Sequence, residues 1–441
     1  MILRFAKILT IFLRSIFFYK SNNKRKSPKL YFSGSCLYKD SFRYPLKSKN
    51  DFLISLRIYK SIIFSMFFKN ITYENHNFKN GIAIFDRSLN SAELRSNYIF
   101  KYSGYKSDLI IPKENLLNYY SFSSSVIICL FLFFSILPVF LLSFFSKNKL
   151  TYPLLILEII ECFVLNEILI KHKIKELFYF NIYERDSNIV ACILMDRGVY
   201  VNKIPSEVPI CFWNKIIVSN SLCICFPYQL DEYNLFKETI FVDQINNWGP
   251  EKILEAPDYV FKTNKNDNDP QYKIGYYSSG YWLRSIKGNV SLGDYLSIEN
   301  ELMILLNEYS KSYNIEIFIY LHPIELKKSN LSLTKNYYSK IIRNKNIKIS
   351  FDNTPSIFSF NQIDLGISIK STLMFERIFY GYKTLLYCFK KHDFPIENSS
   401  LNNIFINKKC FNETISKSLA LKTTEFFNHF DLMKYSKYLE E

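Results

Sequence analysis

The chain has 441 residues, of which 48% are hydrophobic and 17% aromatic, and its formal net charge is +16 at pH 7. This length is enough for two or three domains with full cores, and the hydrophobic share is ordinary for a globular protein. Lysines are spread along the chain and no nucleic-acid-binding module is visible, so we expect no nucleic acid partner. The positive charge instead favours anionic lipid headgroups and anionic nucleotide sugars.

The nine cysteines are scattered without a CxxC pair, and no histidine lies close enough in sequence to complete a zinc site. We therefore predict buried or incidental thiols in a reducing cytosol. The sequence also contains neither a Walker A motif nor a GxGxxG motif. A P-loop kinase and a dinucleotide dehydrogenase are therefore disfavoured.

The first quarter of the chain shows a weak α/β pattern. Its start, Met1–Tyr19, mixes apolar and basic residues and lacks a small-residue cleavage site, so we do not expect a secretory signal. The elements predicted next are a strand, a helix and a strand, at Ile82–Asp86, Glu93–Tyr102 and Asp108–Ile111. They would begin a first Rossmann-like domain.

An apolar segment follows at Val126–Phe145, which carries no charge and has about the ~20 residues that a membrane-spanning helix needs. Pro138 interrupts the segment, and lysines on both sides of it leave its orientation undefined. Three interpretations stay open: a helix pair on or re-entering a membrane surface, a true span, and a buried core helix. We predict a membrane-associating helical segment here.

The next residues predict a βαβ unit preceded by a helix at Leu154–His172. Such a unit is nearly always right-handed. A third strand is expected after it. The four elements are the strand Glu176–Tyr183, the helix Ser187–Met195, the strand Val199–Ile204 and the strand Leu222–Phe226.

The best linker in the chain is the polar stretch 262–271, which is rich in turn-forming residues. It separates a first domain, residues 1–261, from a second domain, residues 272–441. The second domain contains apolar strands with little alternation, as expected when helices cover both faces of a parallel sheet: Lys273–Tyr277, Asn314–Tyr320 and Lys383–Phe389. The sequence thus predicts an α/β fold with two Rossmann-like domains that face a common cleft.

Polar residues stand where strands of the second domain should end, and ligands bind at the carboxyl ends of strands in open α/β sheets. A small-residue loop lets the backbone approach a phosphate, a histidine adds a donor, and a helix start offers N–H groups. We therefore predict a phosphate-bearing ligand. The candidate binding residues are Ser278, Ser279, Gly280, His322, Pro323, Glu325, Ser371, Thr372 and Glu376.

Each of these residues also has a purely structural interpretation. Glu325 could orient the imidazole, bind a ribose or cap a helix, and Glu376 could be an ordinary surface residue. Ser371 and Thr372 could cap the helix that they open, although capping and phosphate binding use the same N–H groups.

His322-Pro323 and Ser371-Thr372 resemble the HP and Ser-Ser/Thr motifs of bacterial sialyltransferases and related polysaccharide glycosyltransferases of the two-Rossmann (GT-B) architecture. The resemblance covers Lys273–Ser418 and makes the second domain the donor-binding half and the first domain the acceptor side. It implies that His322 contacts the phosphate of the donor nucleotide and helps the leaving group depart. It also implies that the hydroxyl pair binds the same phosphate and that Glu376 binds the ribose.

The catalytic base of an inverting transfer should be a carboxylate of the first domain, because the acceptor hydroxyl must lose a proton. Glu184 and Glu207 follow predicted strands and are the first candidates, and Asp231 or Glu232 follows the next strand. The acidic pair followed by glycine that the related enzymes carry has no clean match, so the choice of base stays open.

The sequence therefore predicts a glycosyltransferase that moves a sugar from a nucleotide-sugar donor onto a surface polysaccharide or a lipid-linked glycan. A CMP-sugar is the first candidate for the donor. We expect no metal and no cofactor besides the nucleotide-sugar substrate. The expected location is the cytoplasmic face of a bacterial inner membrane, with peripheral or monotopic attachment. The alternatives are a polyol-phosphate transferase or nucleotide-sugar epimerase on the same fold, and a degenerate glycan-binding or scaffold protein.

Overall fold

A computed structural model describes residues 1–38, 58–64, 80–86, 92–119, 122–145, 152–180, 184–205, 215–250, 272–286, 293–352, 354–369, 371–387 and 400–439. The chain divides into two units. The first comprises Met1–Cys225 and Tyr233–Glu251, and the second comprises Phe226–Glu232 and Lys252–Glu441. The predicted linker, 262–271, and the predicted base Glu207 lie outside the described residues. The position of the domain boundary therefore stays a prediction.

The first unit is built on a parallel sheet of short strands, most of which are buried. Its strands are β1 Ile82–Asp86, β2 Leu109–Pro112, β3 Glu176–Tyr179, β4 Tyr200–Lys203, β5 Ile217–Val218, β6 Ser221–Ile224, β7 Ile240–Phe241 and β8 Gln244–Asn247. Six of them form one sheet in the order β2-β1-β3-β4-β6-β8, and β5 pairs with β7. Every pair in the six-stranded sheet is parallel. The strand order reverses between β1 and β3, which is the switch point of this sheet.

Helices surround the first sheet, and one of them forms the centre of the core. They are α1 Ile2–Lys20, α2 Pro28–Cys36, α3 Ala92–Ser103, α4 Phe122–Phe145, α5 Tyr152–Lys171 and α6 Ser187–Met195. Helix α5 is apolar on nearly all sides and buried along its length, as expected for a core helix. Phe5 of α1 packs on it, with its ring centroid 5.1 Å from that of Phe163.

Helix α4 contains the predicted apolar segment. Ile128 and Leu132 are buried against the core, whereas Phe133 and Phe134 are 74% and 72% exposed. Only one side of this part of the helix is therefore covered by the residues that the structure describes. In the part of the chain that the structure describes, no helix is both long and apolar enough to cross a membrane.

The second unit has the strand order of a classical dinucleotide-binding sheet. Its strands are β9 Lys273–Tyr277, β10 Glu316–Tyr320, β11 Ile347–Ser350, β12 Leu365–Ser368, β13 Thr384–Tyr387 and β14 Phe405–Ile406. They form one parallel sheet in the order β11-β10-β9-β12-β13-β14. Counted within the unit, this order is 3-2-1-4-5-6, the doubly wound Rossmann arrangement with its switch point between β9 and β12. The prediction of a Rossmann-like second half is confirmed.

Helices connect and flank these strands. The remaining helices are α7 Pro227–Leu235, α8 Tyr281–Ile286, α9 Gly293–Tyr313, α10 Pro323–Leu326, α11 Leu331–Ile341, α12 Thr372–Phe379, α13 Phe411–Ala420 and α14 Thr423–His429. Helix α7 begins directly after the strand that the sequence predicts at Leu222–Phe226. The observed strand, β6, is shorter and ends at Ile224. Cys225 and Phe226 are buried but form no part of this strand.

A second predicted strand also extends too far at its carboxyl end. The strand predicted at Glu176–Tyr183 ends at Tyr179, and residues 181–183 lie outside the described residues. Phe180 is still buried, and its N–H donates to the carbonyl of Phe85 at 2.9 Å. Phe180 is apolar and buried like a strand residue, so the sequence pattern overestimates the length of this strand.

Candidate functional site

Three polar loops meet at the switch point of the second sheet, because β10, β9 and β12 are neighbours and run in parallel. The loop after β9 is bonded to β10, since the N–H of Ser278 donates to the carbonyl of Tyr320 at 3.0 Å. The end of β12 is bonded to β9, since the hydroxyl of Ser368 donates to the carbonyl of Tyr277 at 2.6 Å. The predicted residues after these strands therefore share one edge of the sheet.

The first loop requires its glycine. Gly280 has a φ of +64°, and its N–H donates to the hydroxyl of Ser278 at 3.0 Å. A Cβ atom at this position would lie 2.7 Å from Cγ2 of Ile324 and 3.4 Å from Cβ of His322. Glycine is needed both for the backbone conformation and for the close approach of the histidine loop. Ser278 and Ser279 are largely buried in this turn.

His322 caps the short helix α10. Its backbone is extended, with φ −69° and ψ 145°, as the following Pro323 requires. Its Nδ1 atom accepts a hydrogen bond from the N–H of Ile324 at 3.1 Å. A ring that accepts at Nδ1 is neutral and carries its proton on Nε2. The half-buried ring is thus a neutral Nε2–H donor in this conformation.

Glu325 supports this loop from beneath. Its carboxylate is fully buried and accepts from the backbone N–H of His322 at 2.6 Å. It also accepts from the hydroxyl of Tyr338 at 3.1 Å and from the indole N–H of Trp282. Burial raises the pKa of Glu325, and these hydrogen bonds offset part of that rise. Of the two functional roles suggested by the sequence, orienting the histidine loop matches this geometry better than binding a ribose.

Ser371 and Thr372 stand at the start of α12. Ser371 is the N-cap in extended backbone, with φ −144° and ψ 135°, and its hydroxyl makes no capping hydrogen bond to the helix. Ser371 is half-buried and Thr372 is exposed, so both can be reached from solvent. Glu376 lies farther along the helix and is 5% exposed. Glu376 is therefore buried, whereas the sequence left open that it is an ordinary surface residue.

Arg377, which the sequence does not single out, anchors α12 under the site. It is fully buried, and its guanidinium donates to the hydroxyl of Tyr277 at 3.0 Å. The guanidinium lies 4.9 Å from the ring centroid of Phe360 and 5.3 Å from that of Tyr382. Gly366 in β12 makes room for it, since a Cβ there would lie 2.4 Å from Nε of Arg377. A glycine inside an otherwise apolar strand was the sequence signal for this close approach.

Buried charges gather in the first unit near Glu184, the first candidate for the base. The ammonium of Lys113, just after β2, donates to Asp186 at 3.1 Å and lies 3.7 Å from Glu161. Burial opposes its charge, but Asp186, Glu184 and Glu161 outweigh that effect and hold the pKa of Lys113 well above its usual value. Glu184 itself is half-buried. Glu184 follows β3 at the switch point of the first sheet, and its charge acts on the buried ammonium of Lys113.

Glu158 belongs to the same group of charges and accepts from the guanidinium of Arg185 at 2.5 Å. Burial raises the pKa of Glu158 to about 8, although Arg185 opposes the rise. The sequence signal for this cluster was two carboxylates, Glu158 and Glu161, one turn apart in an otherwise apolar helix. Helix periodicity accounts for the apolar residues of this helix without these two carboxylates, so the sequence pattern gives them no role of their own.

Asp231 is not in the first unit, where the sequence suggests it as a base. It belongs to the second unit, accepts from the hydroxyl of Tyr435 at 2.8 Å and pairs with Lys434 at 3.3 Å. Among the described residues, no group of three or more His, Cys, Asp and Glu side chains is placed to hold a metal ion.

No protein-family model and no curated protein matches the sequence. Among solved structures, the UDP-GlcNAc 2-epimerase from Neisseria meningitidis bound to UDP-GlcNAc is 12% identical over 81% of this chain and 94% of that chain, with a TM-score of 0.45. MurG from Acinetobacter baumannii is 10% identical over 80% and 98%, with a TM-score of 0.44. The wall teichoic acid polymerase TagF soaked with CDPG is 12% identical over 89% and 94%, with a TM-score of 0.41. At TM-scores below 0.5, these similarities decide neither the fold nor the function of this chain.

Proposed function

We propose that the chain is a glycosyltransferase that moves a sugar from a nucleotide-sugar donor, with a CMP-sugar as first candidate, to a surface polysaccharide or a lipid-linked glycan. One observation carries the proposal. The loops after β9, β10 and β12 bring a glycine turn, a histidine donor and a helix N-terminus to the switch point of a 3-2-1-4-5-6 sheet. This is the place where such sheets bind nucleotides, and the donors match a phosphate.

In the proposed reaction, the acceptor oxygen forms a bond to the anomeric carbon as the bond from that carbon to the donor phosphate breaks. The Nε2–H of His322 donates to a phosphate oxygen and stabilises the charge that develops on the leaving nucleotide. Ser371, Thr372 and the first N–H groups of α12 bind the same phosphate. Together these groups stabilise the phosphate charge through hydrogen bonds, and the proposal includes no metal.

The proposed base is Glu184, with Glu207 as the alternative. Either carboxylate would accept the proton of the acceptor hydroxyl, and the transfer would then invert the anomeric configuration. Glu184 has the support of its position after β3, at the switch point of the first sheet. Replacing each residue by glutamine, with transfer rate as the readout, separates the two candidates.

We also propose peripheral or monotopic attachment to the cytoplasmic face of a bacterial inner membrane. Leu130, Phe133 and Phe134 of α4 are exposed, as are Ile2 and Leu3 of α1. These two helices touch at the rings of Phe5 and Phe131, whose centroids are 4.9 Å apart. Exposed apolar side chains on two helices that touch, in a strongly basic chain, suit the interface of an anionic bilayer.

A thermal-shift series with CMP, CDP, UDP, GDP and their sugars tests the proposal. A ligand at ~100 times its dissociation constant adds about 2.7 kcal/mol to the free energy of unfolding, which is a measurable rise in Tm. His322→Ala should keep the fold but reduce transfer by about 10²–10⁴-fold, because the donor to the leaving phosphate is lost. His429→Ala is the control, since His429 is an exposed histidine of the same unit, on α14.

The products distinguish the related activities. Transfer of a sugar and transfer of a polyol phosphate add different masses to the acceptor, and epimerisation changes the free donor without an acceptor. Activity of His322→Ala within a few-fold of wild type would remove His322 from the mechanism. A chain that responds to no nucleotide would refute the proposal in favour of a glycan-binding or scaffold protein.

A further inference from the structure

A buried pair of carboxylates lies beneath the candidate site. Glu299 of α9 is 1% exposed and Glu325 of α10 is fully buried. Glu299 accepts from the hydroxyl of Tyr276 at 2.7 Å and from the backbone N–H of Trp282 at 3.3 Å. Buried carboxylates are rare in protein cores unless they have a structural or functional role.

Trp282 connects the two carboxylates. It is fully buried and follows the Ser278–Gly280 turn by two residues. Its backbone N–H donates to Glu299, and its indole N–H donates to Glu325. Glu325 in turn holds the backbone N–H of His322 at 2.6 Å. The chain of bonds from Glu299 through Trp282 to Glu325 therefore joins the glycine turn to the histidine loop.

One of the two carboxylates keeps its proton near neutral pH. Glu325 accepts from three donors, and these bonds favour its charged form. Burial, together with the nearby charge of Glu325, raises the pKa of Glu299 to about 8. Among the described residues, the other titratable groups facing the pair are Tyr276, Tyr337 and Tyr338, whose pKa values burial raises above their usual range, so they stay neutral. Above about pH 8 both carboxylates are charged, and they repel each other.

We propose that Glu299 is a positioning residue of the candidate site, whose protonated form holds the Ser278–Gly280 turn against the His322 loop and whose ionisation loosens that contact. The role rests on the proposed function, because it concerns the same donor site. It predicts that nucleotide binding weakens at alkaline pH through the protein rather than through the ligand.

The test compares wild type with Glu299→Gln, which keeps a neutral acceptor, at about pH 6.5 and about pH 9. Glu308→Gln is the matched control, because Glu308 is an exposed carboxylate of the same helix. Amide hydrogen exchange is measured in residues 278–286 and 320–326, and binding is measured with CMP as the probe. About one pH unit above the pKa of Glu299, roughly ten ionised molecules exist for one neutral molecule.

At about pH 6.5 the three proteins should exchange alike. At about pH 9, wild type and Glu308→Gln should exchange up to about 10-fold faster in these segments than Glu299→Gln. The dissociation constant for CMP should rise about 10-fold between the two pH values in wild type but stay within about 2-fold in Glu299→Gln. Comparison at equal pH removes the titration of the CMP phosphate itself.

Exchange and binding that are equal in Glu299→Gln and wild type at both pH values would overturn the positioning role. Should CMP and the other nucleotides bind no variant, the proposed function fails. The exchange comparison still decides the role of Glu299, because it requires no ligand. If Glu299→Gln does not fold, Glu299→Met, which cannot ionise either, takes its place, and an alkaline loosening equal to that of wild type would again overturn the proposal.

Discussion

Replacing Gly280 by alanine tests the close approach of the two loops. The residue has a φ of +64°, and the left-handed region costs an L-residue about 1–2 kcal/mol. The added Cβ would lie 2.7 Å from Cγ2 of Ile324, whereas ordinary contacts begin at 3.4 Å, so the Ile324 side chain or the histidine loop must move by about 0.7 Å. Overpacking of this kind costs about 1–3 kcal/mol. We expect Gly280→Ala to lower the free energy of unfolding by roughly 2–5 kcal/mol.

The control is Gly198→Ala. Gly198 has a φ of +80°, but its added Cβ would meet nothing within 4 Å among the described atoms. It should lose only the backbone part, about 1–2 kcal/mol. Urea unfolding followed by circular dichroism measures both losses. Thermal shift with nucleotides measures the response to ligand, which Gly280→Ala should reduce and Gly198→Ala should leave unchanged.

Equal losses in the two variants would refute this reasoning, since the contact with Ile324 would then carry no free energy. An unchanged nucleotide response in Gly280→Ala would show that the glycine turn is not part of the binding site. A large loss of stability with an unchanged response would separate packing from function.

Two predictions concern the first unit. In wild type, folded Glu158 keeps its proton up to about pH 8, whereas the unfolded chain releases it near pH 4.5, so stability is full at the acid end of this window and Tm falls as the pH rises through it. Each unit by which the pKa of Glu158 is raised costs ~1.4 kcal/mol. Glu158→Gln should flatten this fall in Tm, and a pH profile identical to that of wild type would contradict the raised pKa. Replacing Phe133 and Phe134 by serine should reduce flotation with anionic vesicles by about 10-fold or more, since each exposed ring that buries in the bilayer contributes roughly 1.5–3 kcal/mol. Flotation equal to that of wild type would assign attachment to the basic surface, where added salt should release the protein.

Several elements follow from the sequence alone because their causes are local. The strand Lys273–Tyr277 and the helix Ser187–Met195 have their predicted bounds. His322 lies in extended backbone at a helix start because the proline after it permits little else. Apolar runs, caps and turn residues act over a few positions, so a single sequence reveals them.

The tertiary structure decided which of these elements meet. Strand β12 lies beside β9 although about 90 residues separate them, and this pairing makes the switch point on which the site depends. Trp282 and Tyr338, which donate to Glu325, and the carboxylate of Glu299 lie on other elements, so spacing in the sequence gave no signal for them. Asp231 follows a strand of the first sheet but belongs to the second unit. Strand order, burial and the pKa values that follow from burial depend on contacts between distant residues, which local patterns do not determine.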